Sequence, residues 1–465
     1  MSGAGSLPER DIERLAASLR PALEEHEGRY PGDRTDRQPA HTVYGGAHIF
    51  RRDVARRLGD VALRYLEEYA PEPSDLAEIL GPTSDARLLD TVHQRVRTKL
   101  EREPVEDFRI DFEDGFGERS DPEEDEAAVA AARETAAGLE NGSLPPFLGI
   151  RIKPLSRERT VRALGTLDAY LTELIRSTGG ELPPRFVVTL PKVVRAEQVS
   201  ALVDALRSIE ASLGLDEGTL GLELMVETTQ SIIAADGSCP LPRFVDAAGG
   251  RCVGAHFGVY DYTAGASITA RYQVMRHLAC DFARQAMLVS LAGTGVAVSD
   301  GATNTLPVPR HRAEEGAELT SGRRRENREA VHAAWKLHHD DVRHSLENGI
   351  YQGWDLHPAQ LVTRYAALYA FFHESLDAAV ERLGRFVKRA ARATLTGDVF
   401  DDAATGQGLL NYFVRGLSCG AITEAEAMRT GLSPEELRGR SFLGILERRR
   451  EGASANEGAS AVGHH

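Results

Sequence analysis

Two carboxylates stand where apolar segments of the sequence end. Glu227 follows the run LELMV, and Asp261 follows the segment HFGVY. A hard divalent cation such as Mg²⁺ or Mn²⁺ prefers few carboxylates, keeps several waters and leaves coordination positions for substrate oxygens. Two such carboxylates on neighbouring strands would suit that cation. Alternatively, each carboxylate caps the loop or helix that follows it by accepting backbone N–H bonds.

Cationic side chains stand in similar positions. Arg151 ends the run FLGIR, with Lys153 two residues further on. A planar guanidinium suits a substrate carboxylate held through two hydrogen bonds. Alternatively, Arg151 pairs with Glu113 or Asp114 of the preceding acidic segment. Lys192, in the run TLPKV, either forms a Schiff base with a carbonyl substrate or pairs with a carboxylate.

A glycine pair and three histidines add further candidates. The segment TVYGGAHIF contains Gly45 and Gly46, which would let the backbone approach a bound ligand closely. His48 follows the pair, and an imidazole there would serve as a general acid or base. His41 and His256 are alternatives for that role, and a structural role is open for all three histidines.

Most of these residues stand at the ends of short apolar runs that alternate with helical patterns. In a stretch such as VSALVDALRSIEASL, apolar residues recur every three or four positions, as in an amphipathic helix. Apolar runs that alternate with helices are typical of a parallel sheet buried on both faces. We predict strands at 41–44, 107–112, 147–152, 185–190, 220–226, 252–257, 295–299 and 354–356.

Eight such units predict an α/β fold, a closed (β/α)₈ TIM barrel with an N-terminal helix and a C-terminal helical appendage. No glycine-rich phosphate loop follows the first strand, which disfavours a dinucleotide-binding sheet. Chemistry in such barrels sits where strands end, so the candidate residues should meet at one mouth. The predicted boundaries are 1–40 for the N-terminal helix and loop, 41–380 for the catalytic barrel, 381–452 for the appendage and 453–465 for a disordered tail.

The densest run of carboxylates, FRIDFEDGFGERSDPEEDEAA at 108–128, divides into parts with different roles. Glu113 and Asp114 end the second predicted strand and should point at the mouth, where they hold the arginine or waters of a metal. Asp121 is the predicted N-cap of the next helix, with proline at the first helical position. Residues 123–126 then place carboxylates at the positive end of that helix. We expect only the first pair to matter for function.

Composition narrows the class of protein. The chain has 465 residues, a formal net charge of −15, 42% apolar residues and 27% charged residues, as in an ordinary globular protein. The negative balance argues against nucleic acid as a partner. Four cysteines without regular spacing argue against a zinc site or disulfide framework and suit a reducing cytoplasm. No run approaches the roughly 20 apolar residues of a membrane span, and no signal peptide is evident, so we expect a cytoplasmic protein.

In this order, the segments resemble the HpcH/HpaI aldolase and citrate lyase β-subunit superfamily, which includes malyl-CoA lyases and is related to malate synthases. The resemblance runs from about residue 41 to residue 380, and Lys153 stands where the superfamily usually has asparagine. The matching segments are the acidic second strand at 111–114, the arginine strand at 150–153, the LPKV motif at 190–193, the glutamate strand at 226–228, the aspartate segment at 257–262, an IDG-like segment at 298–301 and an IHPxQ-like motif at 353–360.

The resemblance implies a barrel that binds Mg²⁺ or Mn²⁺ through Glu227 and Asp261, with Arg151 at a substrate carboxylate or enolate oxygen. Members of the superfamily make or break a carbon–carbon bond beside a carbonyl. We therefore expect a lyase or aldolase that acts through a metal-stabilised enolate on a 2-keto acid or 3-hydroxyacid, free or as a CoA thioester. Such an enolate needs a preorganised cation and hydrogen-bond donors. The expected catalytic residues are Arg151, Glu113, Asp114 and His48, and the expected substrate contacts are Arg151, Lys192, Gly45, Gly46 and Tyr260.

Other functions remain open from the sequence. A malate synthase-like condensing transferase, or an enzyme that uses phosphoenolpyruvate, would share the same enolate site. A barrel without catalysis would only bind a small carboxylate. CoA-dependent relatives place a C-terminal aspartate over a neighbouring site, and the aspartates at 398–402 do not resemble that segment. The resemblance also implies a homo-oligomer, a trimer or hexamer, and we expect the histidine-rich segment 338–344 on a solvated helix face.

Overall fold

Apolar runs at eight points of the chain form parallel strands that close into a barrel. Each strand pairs with the strands before and after it in the sequence, and the first pairs with the last. The computed structural model describes residues 6–32, 34, 36–81, 85–313, 318–396 and 403–449. The strands are β1 His41–Gly46, β2 Asp107–Asp111, β3 Phe147–Arg151, β4 Val187–Leu190, β5 Gly221–Val226, β6 Cys252–Phe257, β7 Ala297–Ala302 and β8 Gln352–Asp355.

Helices precede, separate and follow these strands, so the predicted (β/α)₈ barrel with helices at both ends is confirmed in outline. The helices are α1 Glu9–Arg29, α2 Val54–Tyr69, α3 Ala77–Leu80, α4 Ala86–Arg102, α5 Asp121–Asn141, α6 Thr160–Thr178, α7 Ala196–Leu213, α8 Thr229–Ile232, α9 Leu241–Ala247, α10 Val259–Gly265, α11 Leu278–Leu291, α12 Ser321–Glu347, α13 Gln360–His373, α14 Leu376–Thr396, α15 Ala403–Ser418, α16 Glu424–Met428 and α17 Pro434–Arg438.

The helices at the two ends differ in burial. Helix α1 buries none of its side chains, whereas nearly every residue of α13 is buried between the barrel and its neighbours. No helix of the described residues is long and apolar enough to cross a membrane. The predicted tail at 453–465 and the aspartates at 398–402 lie outside the described residues.

Several element ends differ from the prediction by a few residues. Strand β1 continues to Gly46, β7 is shifted towards Ala302, and β8 begins at Gln352. Helix α5 begins one residue earlier than predicted, and Ser120 rather than Asp121 is its N-cap. The backbone N–H and the hydroxyl of Ser120 both donate to the carboxylate of the glutamate at the third helical position, at 3.0 and 2.7 Å, which forms a capping box.

The helices pack against the outward-facing apolar side chains of the strands, as β2 shows. In β2, the side chains of Phe108 and Ile110 are buried together with that of Phe112, which follows the strand. The ring of Phe112 lies edge-on to the ring of Tyr170 in α6, with centroids 6.3 Å apart. Side chains alternate between the two faces of a strand, so the residues between these aromatic and aliphatic groups face the barrel interior.

The interior face of β2 is charged. Arg109 forms ion pairs with Asp107 and with Glu223, whose Oε2 is 2.7 Å from Nη2 of the arginine. Because β2 and β5 are not neighbours in the barrel, the second contact crosses the interior. Gly149 of β3 leaves room for it, since a Cβ there would lie 3.2 Å from Cδ of Arg109. Barrels of this kind are usually filled with branched apolar side chains, so this filling by ion pairs is uncommon.

The charged interior continues to β1 through a histidine. Nε2 of His256 lies 2.9 Å from Oε2 of Glu223, and its Nδ1 lies 3.1 Å from the hydroxyl oxygen of Tyr44. This contact also crosses the barrel, since β6 and β1 are not neighbours. We call Asp107, Arg109, Glu223, His256 and Tyr44 the interior polar chain. It links the starts of the strands to the level of the mouth.

Replacing Arg109 by methionine should lower the free energy of unfolding by about 3 to 5 kcal/mol, because Asp107 and Glu223 would remain buried without their counter-charge. Urea denaturation followed by circular dichroism measures this change. In the control Arg133→Met, the loss should stay below about 1 kcal/mol, because that arginine is 62% exposed in its pair with Glu173. Equal losses in the two variants would contradict a stabilising role of the interior charges.

Candidate active site

Arg151 is the central side chain of the mouth. It ends β3 beside Asp111 of β2, and its Nε and Nη2 donate to the two oxygens of that carboxylate at 2.7 and 2.5 Å. Its Nη1 lies 3.0 Å from Oε2 of Glu113. The guanidinium carbon lies 4.8 Å from the ring centroid of Tyr44 and 5.7 Å from that of Trp354. The guanidinium is therefore fixed in position and orientation by one carboxylate and two aromatic rings.

Asp111 is a partner of Arg151 that the sequence did not predict, whereas the predicted pairing of Arg151 with Glu113 is present. Besides the guanidinium, the Asp111 carboxylate accepts the backbone N–H groups of Glu113 and Gly115, at 3.0 and 2.7 Å. Burial alone would raise the pKa of this carboxyl, but the hydrogen bonds and charge of the arginine lower it. Asp111 is therefore an ionised anchor for the arginine and for the loop after β2.

Lys192 lies among the carboxylates of the mouth. Its ammonium nitrogen is 2.6 Å from Oε1 of Glu113, 3.4 Å from Oδ2 of Asp261 and 3.7 Å from Oδ2 of Asp114. Burial opposes its charge, but Glu227 and Glu113 raise the pKa of Lys192 above its ordinary value. A lysine held as an ammonium is no nucleophile, so this geometry favours pairing with carboxylates over a Schiff base.

The backbone at Lys192 is strained. Its φ of 50° lies in the left-handed region, which costs a residue other than glycine on the order of 1 to 3 kcal/mol. This conformation directs the Lys192 N–H at Oε1 of Glu227, 2.8 Å away. Strain of this kind is concentrated at functional sites, where the surrounding structure holds it in place.

Glu227 and Asp261, the predicted metal ligands, both lie at the mouth. Neither carboxylate caps the helix that follows it. Glu227 directly follows β5 and is buried, while Thr228 caps helix α8 with its own side chain. Asp261 lies in the first turn of α10 rather than in a strand, and its side chain is 46% exposed. Gly258 makes room for the glutamate, since a Cβ there would lie 2.8 Å from Oε2 of Glu227. The alternative in which both carboxylates cap the next helix is therefore not observed.

The mouth holds more carboxyl groups than cationic side chains. Burial raises the pKa of the Glu227 carboxyl to about 8, against the attraction of Lys192, so this carboxylate requires a further cation to ionise at neutral pH. Among the described residues, no three side chains of metal-binding type form a complete cation site. A divalent ion would therefore complete its coordination with waters and substrate oxygens, as Mg²⁺ commonly does. The cationic side chains are Arg151 and Lys192, and the carboxyl groups are those of Asp111, Glu113, Asp114, Glu227 and Asp261.

Buried polar atoms without partners are concentrated at this mouth. Four buried side-chain atoms of the described residues have no hydrogen-bond partner, and three of them belong to Glu113, Arg151 and Trp354. The atoms are Oε2 of Glu113, Nη1 of Arg151 and Nε1 of Trp354. Each such atom costs about 1 to 3 kcal/mol, and a charged one costs more. A polar ligand that supplied their hydrogen bonds would recover that free energy.

The other predicted site residues have different surroundings. A Cβ at Gly45 would lie 2.6 Å from the ring of Phe108, and a Cβ at Gly46 would lie 2.3 Å from the carbonyl oxygen of Gly115. Close packing of protein atoms, rather than approach to a ligand, therefore accounts for both glycines. The hydroxyl of Tyr260 donates to a backbone carbonyl of β7 at 2.7 Å, which directs it away from the carboxylates.

The predicted histidines do not meet at the mouth. His48 is exposed on the loop after β1, its ring centroid lies 5.5 Å from that of Phe116, and burial lowers its pKa. His41 is fully buried at the start of β1, and His256 belongs to the interior polar chain. Both histidines therefore have structural roles rather than the acid–base role that the sequence left open for them. The solvated-face prediction for segment 338–344 is wrong, since His338 is buried with its Nε2 3.0 Å from a carboxylate oxygen of Asp355.

A cavity of about 740 Å³ opens at the other end of the barrel. Its wall includes the strand-start residues Asp107, Phe147 and Gly221, and it reaches inward to Glu223 and His256. These interior charged groups already bind one another, which leaves them little to offer a ligand. The mouth with its unpartnered atoms, rather than this cavity, is therefore the candidate active site.

Comparison with known sequences assigns the chain to a family. The family described as Domain of unknown function (DUF6986) matches residues 19–445, which is most of the chain. The chain belongs to this family. No curated protein matches it at the level of sequence.

Three solved structures are similar to this chain, and the first of them supports the barrel assignment. A citrate lyase of Burkholderia xenovorans LB400 is 16% identical over 86% of this chain and 100% of its own, with a TM-score of 0.50. A malate synthase of Haloferax volcanii in a magnesium and glyoxylate complex is 15% identical over 90% and 98%, with a TM-score of 0.43. The protein CitE of Mycobacterium tuberculosis, with magnesium and acetoacetate, is 16% identical over 72% and 91%, with a TM-score of 0.37. The citrate lyase confirms the resemblance drawn from the motifs at the level of the fold.

The raised pKa of Glu227 leads to a pH dependence of metal binding. Below about pH 8 the carboxyl of the metal-free protein holds a proton, so bound Mg²⁺ must displace it and the apparent affinity rises with pH until the carboxyl is ionised. Titration calorimetry at pH 7 in two buffers of different ionisation enthalpy measures the proton released. We expect close to one proton for each Mg²⁺ bound.

Two variants test that assignment. Glu227→Gln should abolish the Mg²⁺ binding heat, whereas Asp236→Asn, at an exposed carboxylate of the loop after α8, should leave it unchanged. Equal binding heats in the two buffers would show that Glu227 is already ionised before the metal binds.

Proposed function

We propose that the protein is a Mg²⁺-dependent carbon–carbon lyase of the aldolase type, acting on 2-oxo acids or hydroxyacids, free or as thioesters. The observation that carries the proposal is the buried guanidinium of Arg151, whose Nη1 makes no hydrogen bond although Oε2 of Glu113 lies 3.0 Å away, and whose charge acts on the Glu227 carboxyl. A developing enolate oxygen requires a fixed hydrogen-bond donor and a nearby cation. Arg151 is such a donor, and the carboxylates of Glu227 and Asp261 would bind such a cation.

Glu227 and Asp261 are the residues that would hold the metal. They fit it because Glu227 is buried with a raised pKa, and because Asp261 stays accessible at the start of a helix. When bound, Mg²⁺ supplies positive charge that polarises a substrate carbonyl and orients a chelating 2-oxo acid. Lys192 then has Glu113 as its nearest counter-ion, which keeps the mouth balanced.

Glu113 is suited to move the proton in the cleavage step. Burial outweighs the attraction of Arg151 and Lys192 and raises the pKa of the Glu113 carboxyl, while its Oε2 has no hydrogen-bond partner. In cleavage, this carboxylate takes the proton of the substrate hydroxyl as that carbon becomes a carbonyl. The electron pair of the broken carbon–carbon bond moves to the other fragment as an enolate, whose oxygen accepts the N–H of Arg151. Return of the proton to the enolate carbon completes the products.

The fold and the motifs support this class of reaction. The barrel is similar to that of a citrate lyase. Arg151, Glu227 and Asp261 each contact Glu113 or Lys192 at one mouth of this barrel. Condensation is the reverse of the same steps and would use the same residues. We keep the proposals of a CoA thioester substrate and of a homo-oligomer from the motif resemblance.

The proposal is tested by following pyruvate release from 4-hydroxy-2-oxo acids and citramalyl thioesters, glyoxylate release from malyl thioesters, and pyruvate and CO₂ release from oxaloacetate, with Mg²⁺ or with EDTA. We expect turnover of at least one substrate that EDTA abolishes. Arg151→Lys should lower kcat by about a hundredfold or more, because a lysine cannot both pair with Asp111 and stabilise the enolate oxygen.

Matched variants separate chemistry from folding. Glu113→Gln should lower kcat strongly with little change in KM, whereas Arg133→Lys, on the surface of α5, should leave both constants unchanged. Turnover that persists in EDTA, or in a variant lacking both Glu227 and Asp261, would overturn the proposed metal site. The absence of turnover in both cleavage and condensation assays would overturn the proposed reaction class.

A further inference from the structure

One unpartnered atom of the mouth is not used by the chemistry above, namely the indole nitrogen of Trp354. Nε1 of this residue is buried and has no hydrogen-bond partner. The second tryptophan of the chain, Trp335, shows the usual alternative, since its Nε1 donates to the carbonyl oxygen of Ala359 at 2.7 Å. Buried indole N–H groups normally find such a partner. Trp354 therefore holds a donor that only something outside the described residues can satisfy.

The surroundings of Trp354 fix its ring but leave its N–H unbonded. The residue lies in β8, paired with Thr42 of β1 and Ala302 of β7. Its ring centroid lies 4.5 Å from that of Tyr44 and 5.7 Å from the guanidinium carbon of Arg151. These contacts hold the indole beside the guanidinium, whose Nη1 faces Oε2 of Glu113 at 3.0 Å but makes no hydrogen bond. Two unbonded donors, one charged and one neutral, thus come from side chains in direct contact.

We propose that Trp354 is a substrate-binding residue, and that its indole N–H and Nη1 of Arg151 donate together to the carboxylate of a 2-oxo acid. The inference rests on the proposed function and adds a binding contact to it. A carboxylate offers two acceptor oxygens in one plane, which suits two donors on adjacent side chains. Nη1 carries two N–H groups, so the second one remains for the oxygen of the 2-oxo group, which then faces the Glu227 and Asp261 side of the mouth.

This contact would make the site select for the carboxylate. A ligand with an uncharged amide in place of the carboxylate offers the two donors one neutral carbonyl oxygen instead of two charged oxygens, and its NH₂ group accepts no hydrogen bond. A site built to hydrogen-bond a polar group discriminates strongly against analogues that lack it. Pyruvate and pyruvamide differ only in this group, so they form a matched pair of ligands.

The test measures binding rather than turnover. Trp354→Phe keeps an aromatic ring against Tyr44 and Arg151 but removes the N–H. Titration calorimetry with Mg²⁺ present should show the Kd for pyruvate rising about tenfold or more, as expected for the loss of one hydrogen bond to a charged group. The weaker Kd for pyruvamide should rise by clearly less than that for pyruvate, because a hydrogen bond to a neutral carbonyl oxygen contributes less than one to a carboxylate. Trp335→Phe, distant from the mouth, should leave both constants as in the wild type.

Tryptophan emission gives a second readout. In Trp335→Phe the only remaining tryptophan is Trp354, so pyruvate should change the emission in a saturable way with the calorimetric Kd. If that variant does not fold, the difference between the wild type and Trp354→Phe supplies the same signal.

The outcomes separate this inference from the proposed function. Wild-type affinity for pyruvate in Trp354→Phe, or an equal loss for pyruvate and pyruvamide, would overturn the indole contact while leaving the lyase proposal standing. Failure of the wild-type protein to bind pyruvate or any other 2-oxo acid with Mg²⁺ present would overturn both.

Discussion

The ion pair between Arg151 and Asp111 sets the arrangement of the whole mouth. Both groups are almost completely buried, and a charge on either one would be costly there without the other. Asp111 uses both oxygens on the arginine and also fixes the loop that carries Glu113. The arginine in turn presents its remaining nitrogen at a fixed place between Glu113 and Trp354. Removing either partner would leave a buried charge and a loop without its anchor.

The interior polar chain contacts the Arg151–Asp111 ion pair from the side of the barrel interior. Tyr44 contacts the guanidinium with its ring and His256 with its hydroxyl, so it joins the mouth to the ion pairs of Arg109. Buried ion pairs contribute little net stability compared with apolar packing. Their directional contacts across the barrel instead specify one register of the interior side chains. The mouth is thereby preorganised, which is what an electrostatic catalyst requires.

The sequence predicted the barrel and the strand ends well, because apolar runs separated by amphipathic helices carry that information locally. It predicted Arg151, Glu227 and Lys192 at one mouth for the same reason. It missed Asp111, because the register between neighbouring strands decides which side chains lie side by side, and it missed Trp354, because contacts across a barrel depend on which strands face each other. A local signal for the first was present in DFRID, where charged residues alternate with apolar ones and so mark a polar interior face.

Closure of the barrel pairs its first strand with its last strand, which the ribosome synthesises much later. The side chain of Gln352 donates to Thr42 across 310 residues, and Trp354 of the same strand reaches the mouth only when β8 pairs with β1. Contacts of such long range form late in folding, because loop closure must precede them. A chain still lacking its last strand already contains Arg151, Glu227 and Asp261, yet it cannot enclose a ligand. Capture of substrate is therefore confined to molecules whose folding has been completed.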